Sequence, residues 1–183
     1  MAVFLLAEIA PQVLRYLAMN PFDVVARGYV WQVFTYMFAH SGIWHVVMNM
    51  LIVFIIGTHV ETRLGSYEFL LFYGLVGVLA GAFSLGWYLV TGNLGVYLLG
   101  ASGAAFGLLL AFATLFPDAE VYVFGILPVT APFLVIGLTF LSFFSRGNIA
   151  HFTHLAGFLF AFFYLLIRLG INPIRVFRDE LHF

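Results

Sequence analysis

The chain has 183 residues, of which 64% are hydrophobic, 19% aromatic and only 8% charged, with a mean hydropathy of +1.10. Soluble domains carry about 25% charged residues, so this composition excludes an ordinary soluble globule and a disordered chain. The net charge of −1, from seven arginines, no lysine and eight acids, forms no basic patch for nucleic acid, and the absence of cysteine removes a disulfide framework, a thiolate metal site and a cysteine nucleophile.

A membrane span needs about 20 apolar residues. Residues 1–17 carry Glu8, Pro11 and Arg15 behind a short apolar start. They read as the tail of a first span whose beginning is missing; an interfacial amphipathic helix is the competing reading. A signal peptide is disfavoured, since no basic n-region or small-residue cleavage site precedes a soluble domain. Residues 20–40 read as a polar-aromatic loop in the interface, where Trp31 and Tyr29 are at home. Further spans follow at 43–60, 67–90, 102–116, 131–145 and 149–169, closed by Glu61 and Arg63, by Gly92 and Asn93, by Pro117 and Asp118, by Arg146 to Asn148, and by Gly170 and Pro173. The expectation is a single all-α polytopic domain over 1–183, a six-helix bundle with a truncated first helix. Arg63, Arg168, Arg175 and Arg178 fall on one side and Arg15, Arg27 and Arg146 on the other. That asymmetry leans towards a cytoplasmic C-terminus. Gly74, Gly77 and Gly81, Gly103 and Gly107, and Gly157 and Ala161 have the spacing of closely packed helices.

Polar groups inside spans are costly and point to function. They are His40, His45 and Asn49 at the start of one span, His59 at its end, Ser102 at the start of another, and His151 and His154 at the start of the last. With short connections, alternate spans begin on the same side. The spans bearing His45 and Asn49, Ser102, and His154 therefore share a face. At about 1.5 Å of rise per residue, His45, Asn49 and His154 lie about 5–10 Å along their helices. His45 and Asn49, at i and i+4, share a helix face.

Such an assembly can perform nucleophilic catalysis. In Gly100-Ala101-Ser102-Gly103 the glycines permit close backbone approach at a loop-to-helix junction. A serine there is activated by a base within hydrogen-bond reach, and His154 is the candidate. Free N–H groups at the helix start, with the side chains of His45 and Asn49, can donate to an oxyanion. No acid lies at matching depth, so the arrangement offers a Ser-His dyad and not a triad. Taken singly, Ser102 is also explained as a helix N-cap, and each histidine as a packed core residue.

Four segments, in order, resemble the rhomboid family of intramembrane serine proteases. They are His40-x4-His45-x3-Asn49; Glu61-x-Arg63-x-Gly65; Gly100-x-Ser102-Gly103; and the run Ala150-His151-Phe152-Thr153-His154-Leu155-Ala156-Gly157, in which the histidine before x-x-Gly is His154. The resemblance spans about residues 20–169. It implies a six-helix core, a Ser102–His154 dyad, and an oxyanion hole from the Ser102 backbone N–H with His45 and Asn49. It further implies that the Phe106 ring packs on the base, with His40, Gly100, Gly103 and Gly157 in support. Three departures stand out. Phe106 is often tyrosine in the family, the Trp-Arg pair of the first loop is Trp31-Gln32, and Ala161 replaces the second glycine of the last helix, for which a slightly looser helix approach is expected. The implied function is intramembrane endopeptidase cleavage of transmembrane-helix substrates in a bilayer, without cofactor, metal or nucleic acid. The expected location is a prokaryotic inner membrane, with the site on the non-cytoplasmic side. Three rival classes are a catalytically silent relative that binds membrane proteins, a metal or haem protein using His40, His45, His151 and His154, and a transporter, which would show repeats or broken helices about the midplane. The second lacks nearby carboxylates and a His-Glu-x-x-His signature.

Overall fold

A computed structural model describes residues 2–123, 125–144 and 149–180. Ser145 and Arg146, placed by sequence at the end of a span and in the following loop, lie outside the described residues, as does Met1. The elements are α1 (Ala2–Ile9), α2 (Gln12–Leu17), α3 (Pro21–Arg27), α4 (Gln32–Thr35), α5 (Ile43–Leu64), α6 (Ser66–Val90), α7 (Ser102–Leu115), β1 (Glu120–Val123), β2 (Leu127–Thr130), α8 (Ala131–Phe144), α9 (Ile149–Phe163) and α10 (Pro173–Glu180). A 3₁₀ turn covers Tyr36–Phe38, and α9 continues as a π-helix over Tyr164–Arg168.

Residues 2–17 do not form one helix. Pro11 brings no N–H to continue α1, and the chain breaks there into helices of 8 and 6 residues. The segment 20–40, expected as a loop, folds into α3, α4 and the 3₁₀ turn. A hairpin between α7 and α8 adds the one sheet found among the described residues, antiparallel with Glu120 opposite Thr130 and Val123 opposite Leu127. Otherwise the fold is the expected all-α polytopic one. Three helical segments, Ile43–Leu64, Ser66–Val90 and His151–Arg168, are long and apolar enough to cross a membrane; α7 and the apolar part of α8 are shorter.

Helix α7 is apolar on every side, the pattern of a helix buried all round. Gly103 to Ala105 and Gly107 to Thr114 are buried, and α5, α6, α8 and α9 pack around it. The outer helices present apolar side chains outwards, Phe54 and Leu70 among them. Small residues set the spacing. A Cβ on Gly157 would run into the Gly103 carbonyl, and one on Gly107 would lie 3.3 Å from both the Gly157 oxygen and the Ala161 Cβ. Ala161 thus fits between the helices, and at Gly103–Gly157 the two backbones are in contact. The glycines of α6 serve a different partner. Gly77 receives Met37, Gly81 receives the Tyr36 ring, and the Tyr36 hydroxyl donates to the Gly77 carbonyl at 2.7 Å. At the far ends of α6 and α9, Arg168 holds Glu68 with two hydrogen bonds of 2.7 and 3.1 Å, and the Tyr164 hydroxyl donates to the same carboxylate.

Candidate active site

Ser102 is the first residue of α7. Gly100, two residues earlier, has φ +107°, and a Cβ there would lie 2.5 Å from His45 Nε2. Only glycine satisfies both constraints. The Gly100 N–H donates to the Tyr36 carbonyl at 2.9 Å, so the 3₁₀ turn fixes the approach to Ser102 from one side while α7 continues on the other.

His154 reaches Ser102 from α9. Its Nε2 lies 2.9 Å from Ser102 Oγ, a normal distance for the hydroxyl to donate to a neutral imidazole. The Phe106 ring, one turn after Ser102, stacks on the His154 ring at 4.1 Å and 10°, so the imidazole is held flat between an aromatic face and the serine. Both residues are half-buried. His154 Nδ1 is buried and has no acceptor among the described residues. The arrangement is therefore two-membered, with the phenyl face of Phe106 occupying the flank of the imidazole.

His45 rests over Gly100. Its Nδ1 lies 3.2 Å from Ser41 Oγ, and its ring meets His40 edge-on at 5.1 Å. Asn49, one turn further along α5, is buried and directs Nδ2 to the His45 carbonyl at 2.8 Å, leaving Oδ1 buried without a partner. One N–H of that amide is engaged within its own helix, and the second is the one available to a ligand. His40 is buried; its Nδ1 donates to the Phe38 carbonyl at 3.3 Å. Burial, and then the nearby His45, hold its pKa down to about 4, so the ring is neutral at physiological pH.

His151 is buried one turn before His154 on α9. His59 stands apart at the other end of α5, its Nδ1 donating to the Ile55 carbonyl at 2.7 Å between the edges of Phe112 and Phe116. Glu61 also lies at that end, accepting from Ser66 Oγ at 2.6 Å. Among the described residues no three His, Asp or Glu side chains converge as metal ligands. Sequence reasoning missed Tyr36 and Gln32. Gln32 is fully buried; its Oε1 accepts from the Asn20 N–H at 3.0 Å and its Nε2 donates to the Arg15 carbonyl at 3.0 Å. This amide ties the first loop together at the position where the Trp-Arg pair of the family has its arginine. A buried amide inside an interfacial segment is the signal that could have found it.

The rhomboid domain model matches residues 27–171, a stretch that contains every residue of the site. The chain is 40% identical over 89 residues to Rhomboid protein 1, mitochondrial, of Saccharomyces cerevisiae, covering 48% of this chain and 25% of that one. It is 37% identical over 84 residues to the putative rhomboid protease YdcA of Bacillus subtilis, covering 46% and 40%. It is 30% identical over 155 residues to RHOMBOID-like protein 1 of Arabidopsis thaliana, covering 79% and 37%. The chain thus spans 25% to 40% of the length of these three relatives. With a matching domain over most of its length and long apolar helices around a buried central one, the chain is an integral membrane protein and belongs to the rhomboid family.

Proposed function

We propose that this protein is an intramembrane serine endopeptidase that cleaves transmembrane helices of other proteins, with Ser102 as nucleophile and His154 as general base. The observation that carries the reading is the 2.9 Å approach of His154 Nε2 to Ser102 Oγ at the start of a buried helix. Relatives named as rhomboid proteases support the same class.

The steps follow from the geometry. As Ser102 Oγ attacks the scissile carbonyl carbon, its proton passes to His154 Nε2. Charge builds on the former carbonyl oxygen, where the N–H groups at the start of α7, the His45 ring and the free N–H of Asn49 can meet it. Collapse breaks the C–N bond, and the leaving amine takes the proton from His154. An acyl group remains on Ser102, and water activated by the same imidazole releases it. The imidazolium that forms has no carboxylate behind it and is stabilised by the Phe106 face.

A helix of 14 residues covers about 21 Å, against about 30 Å of hydrocarbon. When the far end of α7 reaches one membrane surface, Ser102 therefore stops short of the other. Arg63, Arg168, Arg175 and Arg178 belong to the ends of α5 and α9 and to α10, remote from Ser102. Against Arg15, Arg27 and Arg146 on the other side by sequence, this four-to-three excess favours the non-cytoplasmic side for the site under the positive-inside rule. The Bacillus subtilis relative fits a prokaryotic cell membrane, although the yeast relative is named mitochondrial.

The test uses purified protein in liposomes with a transmembrane substrate. Ser102→Ala and His154→Ala each abolish cleavage, and the double variant is no worse than either single one, since residues that act as a unit are not additive. His151→Ala retains turnover. A fluorophosphonate labels the wild type at Ser102, and a chelator leaves cleavage intact. Activity that survives in Ser102→Ala overturns the proposal, and a dead His151→Ala beside an active His154→Ala reassigns the base.

A further inference from the structure

Beside the dyad, the α6–α9 interface contains a buried line of three hydroxyls. Ser84, Tyr88 and Thr153 are 0%, 2% and 1% exposed. Ser84 and Tyr88 are i and i+4 on α6 and so share the face turned to α9. Ser84 Oγ donates to the Ala80 carbonyl at 2.8 Å and lies 2.7 Å from Thr153 Oγ1. Because a hydroxyl has one proton, Thr153 is the donor between the two. The Tyr88 hydroxyl, buried on the same face of α6 as Ser84, lies near Thr153. The bonds that tie α9 to α6 therefore run from Thr153 to Ser84 to the Ala80 carbonyl. The other side of Thr153 faces the nucleophile helix: a Cβ on Gly103 would lie 3.0 Å from Thr153 Cγ2. Gly103 follows Ser102, and Thr153 precedes His154.

We infer that Thr153, held by Ser84, is a positioning residue that fixes the rotation of α9 and thereby aims His154 at Ser102. The inference rests on the proposed serine-protease reading. Two further contacts near this level, the stack of Trp87 on Phe152 at 4.2 Å and the Gly103–Gly157 seam, are apolar or steric. They set how closely the helices approach, while hydrogen bonds add direction. Direction matters because a ring nitrogen lies roughly 6 Å from the helix axis, so that a turn of about 10° displaces it by about 1 Å. A displacement of about 1 Å in a catalytic group can lower a rate about 100-fold.

The experiment measures kcat and KM for a transmembrane substrate in liposomes, beside the melting temperature of each variant. Thr153→Val replaces the hydroxyl by a methyl of the same shape. We expect kcat to fall about tenfold or more with KM unchanged. Thr153→Ser restores kcat, since it keeps the hydroxyl. Ser84→Ala lowers kcat in the same sense. Thr114→Val removes another buried hydroxyl, one that donates to Leu110 of its own helix, and leaves kcat at the wild-type value. An unchanged kcat in Thr153→Val overturns the inference. So does a fall that Thr153→Ser fails to rescue, or an equal fall in Thr114→Val, because either outcome reflects packing alone. Wild-type protein no more active than Ser102→Ala overturns the proposed function, and this inference with it; wild-type activity matched by Thr153→Val overturns the inference alone.

Discussion

At the scale of single residues, the site depends on atoms that are missing as much as on those present. Gly157 has no side chain because the Gly103 backbone fills that place, and Gly103 is the neighbour of Ser102. Gly157→Ala pushes α9 away from α7 at the level of the dyad. Overpacking of this kind costs about 1–3 kcal/mol, and here it also lengthens the Ser102–His154 approach. Gly74 on α6 is the control, since a Cβ there meets nothing within 4 Å and alanine is favoured over glycine inside a helix by about 0.5–1 kcal/mol. The expected outcome is a lower melting temperature and strongly reduced turnover for Gly157→Ala, against unchanged or raised stability and unchanged turnover for Gly74→Ala. Equal behaviour of the two removes the close seam from the argument. Ser102 and His154 were legible in the sequence because they carry motif spacing and begin alternate spans. Thr153, Ser84, Tyr88 and Tyr36 were not. A hydroxyl in an apolar helix has no spacing signature, and its partner is fixed only when two helices 69 residues apart in sequence are docked.

At the scale of elements, the long helices were read from hydropathy to within a few residues, and the disagreements have local causes. The sequence reading ends the second span at 60, before Glu61 and Arg63, but α5 continues to Leu64 because a polar last turn can leave the bilayer and remain helical; Gly65, at φ +85°, stops it. The segment before α5 was illegible as structure. Its order comes from non-local bonds: Asn20 Nδ2 to the Val96 carbonyl, Gln32 to the Asn20 and Arg15 backbones, Tyr36 to Gly77, and the Met19–Leu98 bridge. His40 closes that segment and gives it a pH dependence. Burial and the neighbouring His45 lower its pKa to about 4, against about 6.5 in an unfolded chain. Between these values the unfolded chain binds the proton and the folded one does not, so stability rises with pH. The contribution is complete above pH about 6.5, is lost progressively as pH falls towards about 4, and does not change below that. Melting temperatures across this window should fall for the wild type and fall less for His40→Gln. An identical slope in the two would show that His40 stays accessible to protons in the folded protein.

At the scale of the whole molecule, the proposed protease activity makes the positions of Ser102 and His154 a constraint on what can be cut. Ser102 and His154 stand on a central and a peripheral helix of one bundle, near one end of both. A substrate helix hides its carbonyls in its own i to i−4 bonds, and so it must present an extended segment to Ser102. Unwinding is easiest where helix propensity is weak. Leucine exceeds glycine by about 0.8 kcal/mol per residue, so three Gly→Leu changes at the cleavage segment oppose unwinding by about 2.4 kcal/mol, or roughly 50-fold in the unwound population. His45 lies over Gly100, two residues before Ser102, and a small side chain at the cut is expected to fit beside it. A leucine run placed at the site of a cleaved substrate, near the non-cytoplasmic end of its span, should lower cleavage about tenfold or more, with Ser102→Ala as the zero. Returning a Gly-Ala pair to the run should restore cleavage without any change in the enzyme. Cleavage that ignores the leucine run would mean that the enzyme itself, and not the weakness of the substrate helix, supplies the unwinding.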